Sequence, residues 1–142
     1  MDEQNMTYSL IDHTSDLGIL VRGHDPSQLF ANAALALFDI IAGGSHIECR
    51  AELTLEISGN DWADLMINWL RELLYLWNGK RRLVHSLKIL SLAEYSLTAV
   101  LRYDLYAPER HTVNREIKAV TYHRVKVGPV SNGWTGEIIF DV

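Results

Sequence analysis

The chain has one cysteine, three prolines and no apolar run long enough to cross a bilayer. Cys49 alone cannot close an internal disulfide, so a packed core must hold the fold, and a reducing compartment is the simpler expectation. No stretch approaches the ~20 apolar residues of a membrane span. The opening Met-Asp-Glu-Gln-Asn-Met carries no basic segment followed by an apolar one. No signal peptide is visible, and a cytoplasmic location is expected. Cations are in the minority: 13 Lys and Arg against 18 Asp and Glu give a formal charge of -5. Phosphate backbones select for the opposite balance, so an extended nucleic-acid track is not expected. One basic run, Lys80-Arg81-Arg82, follows the end of a predicted helix and reads as solvated cations at the negative end of its dipole. Six histidines without paired spacing, beside one cysteine, supply no zinc set. His24, His46 and His85 stand singly in predicted turns or strands. No Gly-rich phosphate loop follows a strand, and no GxSxG elbow occurs.

What is present suits one globular domain spanning residues 1–142. Hydrophobic residues make up 48%, enough for a sizeable core. No internal repeat or linker stands out. Tyr8 to Ile11 and Gly18 to Arg22 read as strands either side of the polar cluster Asp12-His13-Thr14-Ser15-Asp16. A helix starts at Pro26, with Asp25 as cap and Gln28 completing a capping box. Its stripe Leu29, Phe30, Ala33, Leu37, Phe38 and Ile41 ends at Gly43-Gly44. Arg50 to Ser58 alternates as a half-buried strand. A second helix, capped by Asn60 or Asp61, carries Trp62, Leu65, Met66, Trp69, Leu70, Leu73 and Trp77 on one face and stops at Gly79. That aromatic stripe reads as core rather than as a cofactor groove. Leu83 to Leu92 and Tyr95 to Tyr103 form a predicted hairpin around Ala93-Glu94. Leu105 to Glu116 is a polar loop. Ile117 to Val127 and Trp134 to Val142 form a second hairpin, with Gly128-Pro129 and Asn132-Gly133 as turn signals. The expected fold class is α+β: a two-layer sandwich with two helices on one face of a mixed, mostly antiparallel sheet.

Three segments offer chemistry. The Asp12–Asp16 loop has the composition of an Asx or Ser/Thr turn, which is the expected reading of the segment taken alone, with a metal ligand as the alternative. The chain closes on Asp141-Val142, where a side-chain and a terminal carboxylate share one strand end. A hard divalent cation would relieve their repulsion, as would solvent. In Lys118-Ala119-Val120-Thr121-Tyr122-His123 the strand period sets Lys118, Val120 and Tyr122 on one face and Thr121 and His123 on the other. Either face can serve a site or be plain sheet surface.

Together these segments resemble the archease family. The likeness runs through Asp12-His13-Thr14-Ser15-Asp16-Leu17-Gly18-Ile19, then Leu29-Phe30 and Ala36-Leu37-Phe38, Trp69-Leu70 and Glu72-Leu73-Leu74. It continues through Arg110-His111 and Glu116 to His123, and ends at Phe140-Asp141-Val142. Leu101-Arg102-Tyr103-Asp104 lacks the glycine that the pattern carries before its acidic position, and Ser15 and Leu17 replace commoner residues. The resemblance implies an accessory protein rather than an enzyme. Its partner would be an RtcB-type RNA ligase, which joins RNA 3′-phosphate or 2′,3′-cyclic phosphate ends to 5′-hydroxyl ends with GTP and divalent metal. The accessory protein would promote ligase guanylylation and repeated turnover in tRNA splicing and RNA repair, meeting RNA only indirectly. It further implies a divalent metal, Ca²⁺ or Mg²⁺ with Ca²⁺ favoured, held by Asp16, Asp141 and Val142. His13, Lys118 and His123 are further residues of the implied functional tip. Two other readings stay open: a small metal-dependent phosphohydrolase acting on RNA ends or nucleotides, and an interaction module without a functional metal.

Overall fold

The computed structural model describes residues 7–11 and 16–142. In chain order the elements are β1 (Tyr8–Ile11), β2 (Leu17–Gly23), α1 (Pro26–Ala42), β3 (Ala51–Ser58), α2 (Trp62–Asn78), β4 (Arg82–Ala93), β5 (Ser96–Leu105), β6 (Ala119–Val130) and β7 (Gly133–Asp141). The class is α+β, as expected. The strands, however, divide between two antiparallel sheets, ordered β1-β2-β7-β6 and β3-β5-β4, rather than forming one. Alternation shows which face of a strand is buried; it does not say which hairpin a lone strand will join. Each helix spans the division, α1 packing on β2 and β4 and α2 on β6 and β3. One continuous core results, with Phe30, Leu37, Trp69, Leu73 and Trp77 at its centre and Ile19, Leu101, Val120 and Phe140 contributed by the sheets.

The two sheets are built alike. β2 and α1 are followed, much later, by the hairpin β6–β7; β3 and α2 are followed at once by the hairpin β4–β5. In both cases the first strand pairs with the last, giving the orders β2-β7-β6 and β3-β5-β4. The second unit is thus nested inside the first. The correspondence reaches single hydrogen bonds, thirty-six residues apart. Asp25 accepts from the Gln28 N–H (2.8 Å), while Gln28 Oε1 accepts from the His24 N–H (2.7 Å). Asp61 accepts from the Asp64 N–H (2.8 Å), while Asp64 Oδ2 accepts from the Asn60 N–H (2.8 Å). Asn32 Nδ2 donates to the Arg22 carbonyl (2.8 Å), and Asn68 Nδ2 to that of Ser58 (2.9 Å). No repeat stands out in the sequence because the matching positions are sparse and their side chains differ: Ala33 answers to Trp69, and Ile41 to Trp77.

Glycine is required where each strand turns into its helix. A Cβ on Gly23 would lie 2.4 Å from the Leu29 backbone nitrogen, and one on Gly59 2.5 Å from that of Leu65. The turn signals need one correction. Gly128 and Pro129 lie inside β6, opposite Thr135 and Trp134, and the chain reverses across Ser131-Asn132. Pro129 is tolerated there because β6 is an edge strand, with no outer neighbour among the described residues to need its missing N–H.

Candidate functional site

Strand register assembles one end of the first sheet. Leu17 pairs with Phe140, so Asp16, in the bend just before β2, and Asp141, the last residue of β7, lie at the same end of that strand pair. On the other side of β7, Asp141 pairs with Ala119, and its carbonyl accepts from the Lys118 N–H (2.7 Å). Asp16, Asp141, Val142 and Lys118, 126 residues apart at the extremes, therefore meet at one edge. Asp141 and Lys118 are exposed there, while Asp16 and Val142 are half-buried. From the other side, Asn78 at the end of α2 donates through Nδ2 to the Ile117 carbonyl (3.0 Å), tying that helix end to the same edge.

Comparison with the nested unit brings out the charge. The counterpart of Asp16 is Glu52, and the residue opposite Glu52 is Arg102. Where the inner unit pairs an acid with a base, the outer one brings two acids, Asp16 and Asp141, to one end of the sheet. Like charges brought close repel, and a cation between them reverses the sign. The donors available are carboxylate and main-chain oxygens, which suit a hard divalent ion and not zinc. Among the described residues no three His, Cys, Asp or Glu side chains gather as a ligand set, so two carboxylates from Asp16 and Asp141 would need main-chain oxygen from Val142 and water beside them.

The remaining tip residues are placed differently. His13 lies outside the described residues. His123 stands four residues beyond Ala119 on β6, on the order of 13 Å along the strand. It sits where the β6–β7 register slips between Thr121 and Lys126. Its N–H donates to Thr121 Oγ1 (3.2 Å), and that hydroxyl donates to the Ile139 carbonyl (2.9 Å). Tyr122, expected on a face with Lys118, donates its hydroxyl to Asp64 Oδ1 (2.7 Å) and lies under the Arg71 guanidinium (4.8 Å). The hydrogen bond from Tyr122 holds the Asp64 carboxyl below its ordinary range.

A buried polar cluster sits under the loop joining β5 to β6. Asp104 is 3% exposed and His111 4%. Burial pushes the Asp104 carboxyl up, but the Arg110 guanidinium (3.0 Å) and the Glu48 N–H (3.1 Å) hold it below the ordinary value. His111 Nδ1 accepts from the Ala107 N–H (2.9 Å), so the neutral ring carries its proton on Nε2, 3.2 Å from Asp104 Oδ2 though off the line of a hydrogen bond. Asp104 thus anchors Arg110 and His111, and through them the loop leading to Lys118. The sequence signal was the pairing of an acidic strand end with Arg110-His111 a few residues on. Nothing local showed that the loop would fold back over that strand end.

The fold is that of a small α+β protein with two helices on two antiparallel sheets, one of which ends in Asp16, Asp141 and Val142. The family model of the archease protein family matches residues 8–142, and the chain belongs to that family. It is 30% identical to protein archease of Methanosarcina mazei over 146 aligned positions, covering all of both chains. It is 32% identical to that of Pyrococcus furiosus, covering 92% of this chain and 95% of the other. Among solved structures it resembles protein 1598 of Methanobacterium thermoautotrophicum, with a TM-score of 0.78 and 28% identity over 96% of this chain and 99% of that one. An archease from Thermotoga maritima, described as a possible chaperone, shares the fold at a TM-score of 0.65 and 18% identity, covering 93% and 94%.

Proposed function

We propose that this protein is a non-enzymatic helper of an RtcB-type RNA ligase, promoting its guanylylation and repeated turnover in tRNA splicing and RNA repair. Its working end is the edge formed by Asp16, Asp141 and Val142, holding Ca²⁺ or Mg²⁺. The observation that carries this reading is that Asp16 and Asp141 come to the same end of β2 and β7, where the nested unit pairs Glu52 with Arg102. Membership of the archease family supports the choice of partner, which rests on the resemblance set out above. When bound, the ion would neutralise the two carboxylates and present a positive centre to phosphate oxygens. The chain's own part is positional: the Lys118 N–H fixes the Asp141 carbonyl, and Asn78 braces the segment before it. A helper of this kind acts by binding the guanylylated ligase more tightly than the free enzyme, since only differential affinity shifts an equilibrium.

The test mixes the protein, well below equimolar, with purified ligase, GTP, Mn²⁺ and RNA bearing a 3′-phosphate. Guanylylation and ligated product are followed together. Stimulation should appear with wild-type protein and be lost, by tenfold or more, in Asp16→Asn and Asp141→Asn variants that retain wild-type melting temperatures. Absence of stimulation by the wild type, or full stimulation by both variants, would refute the proposal.

A further inference from the structure

The basic run Lys80-Arg81-Arg82 follows the end of α2, with Lys80 and Arg81 exposed as expected and Arg82 half-buried, and each cation also lies near an aromatic ring. Lys80 Nζ lies 5.9 Å from the Tyr75 ring centroid, Arg81 Cζ 4.3 Å from that of Trp77, and Arg82 Cζ 4.9 Å from that of Tyr103. Three consecutive cations are thus seated over three separate rings. Among the described residues none of the three pairs with a carboxylate. Arg81 is held further by its backbone. Its φ is 53°, a left-handed conformation that glycine ordinarily supplies at a helix end. Its N–H donates to the Trp77 carbonyl (2.9 Å), and its own carbonyl accepts from the Tyr106 N–H (2.8 Å). The chain thus keeps an arginine where local backbone preference calls for glycine.

We propose that this basic and aromatic ridge, at the end of α2 and the start of β4, binds a short stretch of single-stranded RNA through its phosphates. A guanidinium lying over a ring retains edge N–H groups for oxygen acceptors, and its position is set before the ligand arrives. Tyr75, 53% exposed, adds an aromatic ring on which a base can stack once Lys80 turns from it to a phosphate. Cations interleaved with an exposed ring are the combination that single-stranded sites use, whereas an acidic protein surface needs only the charge. The net charge of -5 keeps the footprint short: about three phosphates, one per cation. The ridge stands on its own geometry and does not depend on the metal edge.

The test measures fluorescence anisotropy of a labelled eight-nucleotide oligouridylate with the full chain, in EDTA and without ligase, across a NaCl series. Wild-type protein should bind at low salt, with log K falling against log[NaCl] at a slope near -2. Arg81→Gly relieves the positive φ and should melt no lower than wild type, yet bind about fivefold more weakly. The triple variant Lys80→Gln, Arg81→Gly, Arg82→Gln should lose the salt-dependent binding. Asp16→Asn, which leaves the ridge intact, should bind as wild type, so a failure here is separate from a failure of the ligase reading. No low-salt binding by the wild type, or equal binding by the triple variant, would overturn the ridge. Equally tight and competing binding of an oligoglutamate of matched charge would reassign it to an acidic protein partner.

Discussion

Asp104 shows how one side chain can decide the course of a loop. Its carboxylate accepts from Arg110 and from the Glu48 N–H and lies 3.2 Å from His111 Nε2, all beneath the segment that leads into β6. Because these partners hold its pKa below the ordinary carboxylate value, its contribution is fully present above about pH 4. It drains away as pH falls through the depressed value. Asp104→Asn should therefore cost about 2 kcal/mol at pH 7, where it weakens a charge-assisted pair and turns an acceptor into a donor. The difference from wild type should shrink at pH 3. Urea midpoints at the two pH values measure this, and an equal loss at both would mean that shape rather than charge is at stake.

At the scale of elements, the strand–glycine–cap–helix unit is the part used twice. Asp61 caps α2 from a position that Gly59 makes reachable, since the chain must pass within contact of the Leu65 backbone to turn there. Asp61→Ala removes one cap and should cost about 1 kcal/mol. Gly59→Ala drives a methyl into backbone that cannot step aside and should cost more, about 2 kcal/mol. Gly23→Ala should behave likewise in the outer unit. Thermal melts rank the three. A Gly59→Ala protein as stable as wild type would show that the turn has room to relax.

At the scale of the molecule, nesting makes the two units inseparable. Trp62 opens α2 in the inner unit, yet its ring meets Phe30 (6.1 Å between centroids) and Trp134 (5.2 Å) from the outer unit as well as Tyr95 (5.4 Å) from its own. Each helix also packs on strands of both sheets. Unfolding should then be a single transition, with far-ultraviolet and near-ultraviolet dichroism coinciding in urea. Trp62→Ala should lower stability by about 3 kcal/mol without splitting that transition. Two separated transitions would show that the units hold themselves up independently.

Local rules account for what is legible in the sequence alone. Asp25, Pro26 and Gln28 announce the start of α1, the alternation from Ala51 to Ser58 announces β3, and the periods of Phe30 to Ile41 and Trp62 to Trp77 announce two buried faces. Each depends on neighbours within a turn or a strand, and each stands in the structure. The three segments carrying Asp16, Lys118 and Asp141 could likewise be singled out as residues. What tertiary structure alone decided is their meeting, because β7 lies between β2 and β6 and no local pattern encodes that order. It also separated His123 from them by a slip in register, folded the loop over Asp104, and seated Lys80, Arg81 and Arg82 on Tyr75, Trp77 and Tyr103. These are contacts between elements distant in sequence or meeting across a turn, and they are chosen by the packing of the whole core rather than by the residues on either side.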